Sequence, residues 1–131
     1  MNDRIRLKQI AKEDTRYHIE AYVFVLEALN YTRQSFNIEG HVTGRQLLEG
    51  IRNLGLERYG AMCKMVFEHW GITKTIDFGN IVITMVNTGL LSKTPEDSID
   101  DFVDVYDFDD AFVKGYRVDI TKKKNEPRRK K

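Results

Sequence analysis

The chain has 131 residues, 41% of them apolar and 31% charged, with a formal net charge of +1. That length suits one core, large enough to fold without a metal or a disulfide, and argues against two. The composition excludes a mostly disordered chain, no apolar run reaches the roughly 18–20 residues of a membrane span, and one cysteine, Cys63, excludes an internal disulfide framework.

The opening MNDRIRLKQI lacks the apolar core of a signal peptide. With the lone thiol, it predicts a cytoplasmic protein that has no membrane partner. Residues 4–12 carry a weak helical pattern. Residues 16–36 carry a stronger one, with Tyr22, Val25, Leu26, Leu29 and Arg33 on one face and Val23 and Phe24 widening it. The segment AYVFVL has strand-like composition, but the length of the run and the lack of Gly or Pro inside it predict helix.

Thr43-Gly-Arg-Gln46 has the spacing of a capping box, with Val42 and Leu47 at the staple positions. Leu47, Leu48, Ile51 and Leu54 follow at helical spacing, and Gly60 ends or kinks that helix. Ala61 to Trp70 reads as a further helix with Met62, Met65, Val66 and His69 on its apolar face. Gly71 suits a left-handed C-terminal cap, with Phe67 and Ile72 in contact across it.

Residues 76–88 place Phe78, Ile81, Val82, Met85 and Val86 on one face and Ile76 and Ile83 on the other. A helix apolar nearly all round predicts full burial. Gly89 reads as its cap, pairing Met85 with Leu90. Thr94-Pro95 opens an acidic turn or helix, and residues 108–115 add another. Tyr116, Val118 and Ile120 alternate with polar residues, as one short strand would. The expected fold is all-α: a compact bundle of about five helices over residues 1–116, with that short strand, and a basic tail over 117–131.

Charge is balanced overall but segregated locally. From Thr94 to Val113 there are eight acids and no Lys or Arg; from Lys114 to Lys131 nine bases face only Asp119 and Glu126. The final KKKNEPRRKK contains nothing apolar, which predicts a solvated, disordered tail. Lys122, Lys123, Lys124, Arg128, Arg129, Lys130 and Lys131 are the candidate nucleic-acid-binding residues, because clustered bases bind phosphates by releasing counterions. No aromatic residue interleaves with them, so base stacking is not offered. A solubilising role is the plain alternative. A third reading is intramolecular, with the acidic segment holding the tail when no partner is present.

Catalytic signatures are absent. The chain has no phosphate-binding glycine loop, no G-x-S-x-G, no C-x-x-C, no H-x-x-x-H and no E-x-x-H. Cys63 has no histidine at an activating spacing and reads as a small buried hydrophobe. His69, at a helix end, suits the negative pole of the helix dipole. His41 sits beside Gly40 in a loop. Glu20 and Glu27 share a helix face, with Tyr31 one turn on, and could do acid–base work only if burial shifted one carboxyl. Asp107, Asp109 and Asp110 offer oxygens to a hard cation, but lack the glycine and distal glutamate of an EF-hand loop; Asp107 as a helix cap is the simpler reading. A helix-turn-helix is disfavoured, since IDFGNIVITMVNT carries no Lys or Arg to read base edges.

The stretches EAYVFVLEALNYT, HVTGRQLLEGIRNLGLERYG, VFEHWGI, DFGNIVITMVNTGLLSKTPEDS and DFVDVYDFDDAF resemble the Minf-type family of short bacterial conserved hypothetical proteins. The likeness covers roughly Tyr17 to Phe112, with GLLSKTPEDS and YDFDDAF its most specific phrases. The basic tail lies outside it. The resemblance implies a bacterial cytoplasmic protein and carries over no catalytic residue.

Three functions remain open. The first is a non-catalytic module that binds RNA or a ribonucleoprotein through its tail. The second is a protein–protein adaptor or homodimer, based on a surplus of large apolar residues (Trp70, Tyr22, Phe24, Tyr31, Phe36, Ile83). The third is an enzyme using Glu27 or the Asp107 cluster, which requires polar groups converging in a pocket. No cofactor and no small-molecule substrate is implied.

Overall fold

The computed structural model describes residues 3–92 and 98–114. Five α-helices form the body: α1 (Asp3–Glu13), α2 (Ile19–Ser35), α3 (Gly44–Tyr59), α4 (Cys63–His69) and α5 (Thr75–Asn87). Two 3-10 turns, Gly60–Met62 and Ile99–Phe102, and a π-helical stretch, Asp109–Lys114, complete it. The protein is all-helical, with no strand among the described residues. The Thr94-Pro95 turn, the strand of Tyr116, Val118 and Ile120, and the basic tail lie outside the described residues.

Local chemistry sets most of the boundaries. Helix α2 starts at Ile19, because His18 adopts extended backbone and its Nδ1 accepts from the Glu20 N–H at 3.1 Å. Ahead of it, Asp14 takes a side-chain hydrogen bond from Arg16, which holds the Asp14 carboxyl below the usual carboxylate value. The capping box of α3 is complete: Gln46 N–H donates to Thr43 Oγ1 at 3.1 Å, and Thr43 N–H donates to Gln46 Oε1 at 2.9 Å. A box of this kind stabilises a helix start by about 1 kcal/mol. Val42 and Leu47 are both buried beside it.

Gly71 closes α4 at φ 92°, with Ile72 N–H donating to the Phe67 carbonyl at 2.9 Å. A side chain at Gly71 would collide with the Arg16 carbonyl, 2.2 Å from an added Cβ. Here the α1–α2 connection passes over the end of α4, and His18 N–H donates to the Trp70 carbonyl at 3.0 Å. Gly89 ends α5 in the same manner, with Leu90 N–H on the Met85 carbonyl at 2.8 Å.

Two faces differ from the sequence expectation. In α2 the innermost stripe is Ala21, Tyr22, Phe24, Val25, Ala28 and Thr32, while Leu26 and Leu29 are only half-buried. The small residues form the seam where α3 crosses, and Gly50 of α3 meets Thr32 there. In the Gly60–Met62 turn and α4 most of the expected face is the outer one: Met62 and Met65 are 51% and 58% exposed, His69 is exposed, and only Val66 is half-buried against the core. Cys63, Phe67 and Trp70 point inward instead. The 3-10 turn after Gly60 (φ 54°) resets the phase, and two large rings bury more apolar area than two methionines. The expected full burial of α5 is also corrected. Phe78, Ile81 and Met85 enter the core, but Ile83 is 39% exposed and Val82 and Val86 are half-buried.

Phe67 stands at the centre of an aromatic core. Its ring centroid lies 5.4 Å from Phe24, 5.4 Å from Phe78, 5.2 Å from Phe112, 5.9 Å from Trp70 and 6.0 Å from Phe108. Three elements of the body thus share one cluster with the C-terminal segment. That segment is latched by Thr75, whose buried hydroxyl donates to the Phe102 carbonyl at 2.6 Å and accepts from Val105 N–H at 3.1 Å. Tyr106 adds a bond from its hydroxyl to the Leu48 carbonyl at 2.8 Å. Trp70, Tyr22 and Phe24 therefore belong to the core, and of the presumed apolar surplus only Phe36 and Ile83 are exposed.

Candidate functional site

A groove of about 710 Å³ opens on the surface of the described residues. Four parts of the chain wall it. Helix α2 contributes Val25, Leu29 and Arg33; the segment from Gly40 through Leu47 brings His41, Val42 and the start of α3. Helix α5 contributes Val82, Ile83, Val86 and Asn87, and Leu90, Leu91, Ile99 and Phe102 close the far side. Val82, Ile83 and Val86 of α5 thus line this groove, which accounts for the apolar residue at position 83 on the outer side of that helix. Its volume falls within the range of about 300–1,000 Å³ typical of ligand sites. Arg33 is half-buried at the wall and makes no ion pair among the described residues.

No motif or periodicity pointed to this groove. Its residues are scattered from position 25 to position 102, and the elements meet only in the folded state. The one local sign was Ile83, an apolar residue on the outer side of α5.

The acidic candidates are occupied in other ways. Asp107 Oδ1 accepts from the N–H groups of Asp109 at 2.8 Å and Asp110 at 3.2 Å, so it caps the π-helical stretch. Asp109 pairs with Lys64 at 2.9 Å and Asp110 with Lys114 at 3.2 Å. The Asp109 hydrogen bond raises the Lys64 ammonium above its ordinary value. Among the described residues no group of three or more His, Cys, Asp or Glu side chains is gathered about a metal position. Asp107, Asp109 and Asp110 all face solvent.

Glu27 does not converge with Glu20 on a pocket. Its carboxylate takes a 2.6 Å hydrogen bond from Arg58, with both side chains roughly half exposed. Glu20 is exposed in the first turn of α2. Cys63 is fully buried, and burial pushes its thiol up to about 12, which leaves it a packing residue at neutral pH. His69 lies in the last turn of α4 with its ring 6.0 Å from that of His18. His41 lines the groove.

One polar cluster was not anticipated. Tyr17 donates to Asp77 Oδ1 at 2.7 Å and accepts from Asn80 at 3.0 Å. Asp77 Oδ2 accepts from the N–H groups of Thr73 at 2.9 Å and Lys74 at 3.1 Å. Burial, followed by the bonds to Asn80 and Asp77, sets the Tyr17 phenol at about 12. The cluster caps α5 and ties it to the α1–α2 connection; its hydrogen-bonding capacity is spent on the fold.

Lys122, Lys123, Lys124, Arg128, Arg129, Lys130 and Lys131 lie outside the described residues. No helix among the described residues is long and apolar enough to cross a membrane. No protein-family model, curated protein or solved structure matches the chain.

Proposed function

We propose that this protein is a non-catalytic binding module that associates with RNA, or with a ribonucleoprotein, through Lys122 to Lys131. The observation that carries this reading is the segregation of charge. Seven bases are concentrated in the last ten residues of a chain whose net charge is only +1. The carboxylates of Glu27, Asp107, Asp109 and Asp110 are engaged in caps and ion pairs facing solvent.

Counterion release gives the reading a number. Seven bases neutralising single-stranded RNA produce a log–log salt slope of up to about −5, or roughly a thousandfold loss of affinity between 50 and 200 mM salt. A titration of full-length protein and a 1–121 truncation, each at both salt concentrations, checks this. Salt-sensitive binding that disappears with the tail is the expected result. Equal binding by the two forms would sink the proposal.

A second reading, a protein-binding or self-associating surface, draws on the exposed Met62 and Met65. Flexible thioethers suit adaptable apolar contacts. Light scattering is then expected to show a species larger than the monomer, reduced by Met65→Lys; a monomer at all concentrations counts against self-association.

A further inference from the structure

We propose that the groove between α2, α3 and α5 binds an aliphatic monocarboxylate, with the chain in the groove and the carboxylate on Arg33. This reading is independent of the tail and of RNA.

The argument starts from the walls. Val25 and Leu29 of α2, Leu47 of α3, Val82 and Val86 of α5, and Phe102 give the groove a surface that is mostly branched aliphatic. These residues come from separate elements around a concavity of about 710 Å³. A concave site walled on several sides suits a small apolar body better than the open face that a partner helix or sheet needs. Water in such a site finds few polar partners, and an aliphatic chain that replaces it removes apolar surface from solvent.

Charge selects the head group. Arg33 is the cation in the α2 wall, half-buried and without an ion pair among the described residues. A guanidinium without an ion pair among the described residues gains from an anion that it can grip with two parallel N–H donors. One such fork matches one carboxylate. No acidic side chain lines the groove among the described residues to compete for it. The remaining polar lining comes from His41, Thr43, Asn87, Ser92 and Ser98.

The test uses decanoate, below its micelle concentration, titrated into the full chain by calorimetry. Decanol and decyltrimethylammonium serve as neutral and cationic controls of equal chain length. Decanoate is expected to bind at least tenfold more tightly than either control, and Arg33→Gln is expected to remove about that tenfold, one charge-assisted pair's worth. Ile83→Trp, at a wall position that is already 39% exposed, fills the mouth and is expected to weaken all apolar ligands. Far-ultraviolet circular dichroism verifies that both variants fold, and RNA affinity should not change in either. Failure of decanoate to bind, equal affinity for decanol, or undiminished binding by folded Ile83→Trp would each overturn the proposal. So would a dimer that decanoate leaves intact and Ile83→Trp dissociates, since the groove would then belong to a second copy of the chain.

Discussion

Gly50→Ala is expected to destabilise the protein by about 2 kcal/mol or more, the opposite of what helix propensity dictates. In an exposed helix interior that exchange gains roughly 1 kcal/mol. Gly50 is buried, however, where α3 crosses α2. An added Cβ would lie 1.7 Å from Thr32 Oγ1 and 2.8 Å from Thr32 Cβ. Neither neighbour is a flexible chain end. Thr32 is buried, β-branched and fixed by its hydroxyl, which donates to the Ala28 carbonyl at 2.7 Å. The helices must separate, and the packing along the seam loosens with them. Urea unfolding of Gly50→Ala, Thr32→Ala and the double variant checks the mechanism. Thr32→Ala removes the nearest atom, so the double variant should recover part of the loss, with a coupling of about 1 kcal/mol or more. Strict additivity would place the cause elsewhere.

Phe67→Ala is expected to cost about 3–5 kcal/mol, the usual range for a buried aromatic ring reduced to a methyl group. Total stability of a domain is about 5–15 kcal/mol, so this one change removes a large share of it. Five rings lose their common neighbour at once. Met65→Lys, two residues earlier on the same short helix, should change stability by less than about 0.5 kcal/mol. The contrast, read from denaturant midpoints at equal slope, tests which face of α4 is buried. A Met65→Lys loss comparable to that of Phe67→Ala would reverse the assignment.

That face marks where legibility in the sequence ends. Three caps were legible because the partners of each lie within six residues of one another: Thr43 with Gln46, Phe67 with Ile72, and Met85 with Leu90. Helix existence followed from periodicity over long runs. The buried face of α4 did not, since Met62, Met65, Val66 and His69 repeat at the same spacing as Cys63, Phe67 and Trp70. Only the rings of distant elements decide between the two stripes. The seam on α2 was hidden for a related reason. Ala21, Ala28 and Thr32 have little hydrophobic signal of their own, and their smallness matters only because α3 passes close by. The groove was the least legible feature, because its lining runs from Val25 to Phe102 and closes around one concavity only in the folded chain.

The dependence of the core on Phe102, Phe108 and Phe112 bears on the order of events during synthesis. About 45 residues separate Phe67 from Phe112, which at ribosomal rates of about 5–20 residues per second is roughly 2–9 s. During that interval the earlier helices leave the ribosome with an unfilled socket between α3, α4 and α5. The earlier helices pack on one another, but the side of Phe67 that meets Phe108 and Phe112 stays uncovered until those rings arrive. The nascent chain therefore spends seconds as an incomplete bundle, and its final packing waits for the segment that carries Phe108 and Phe112.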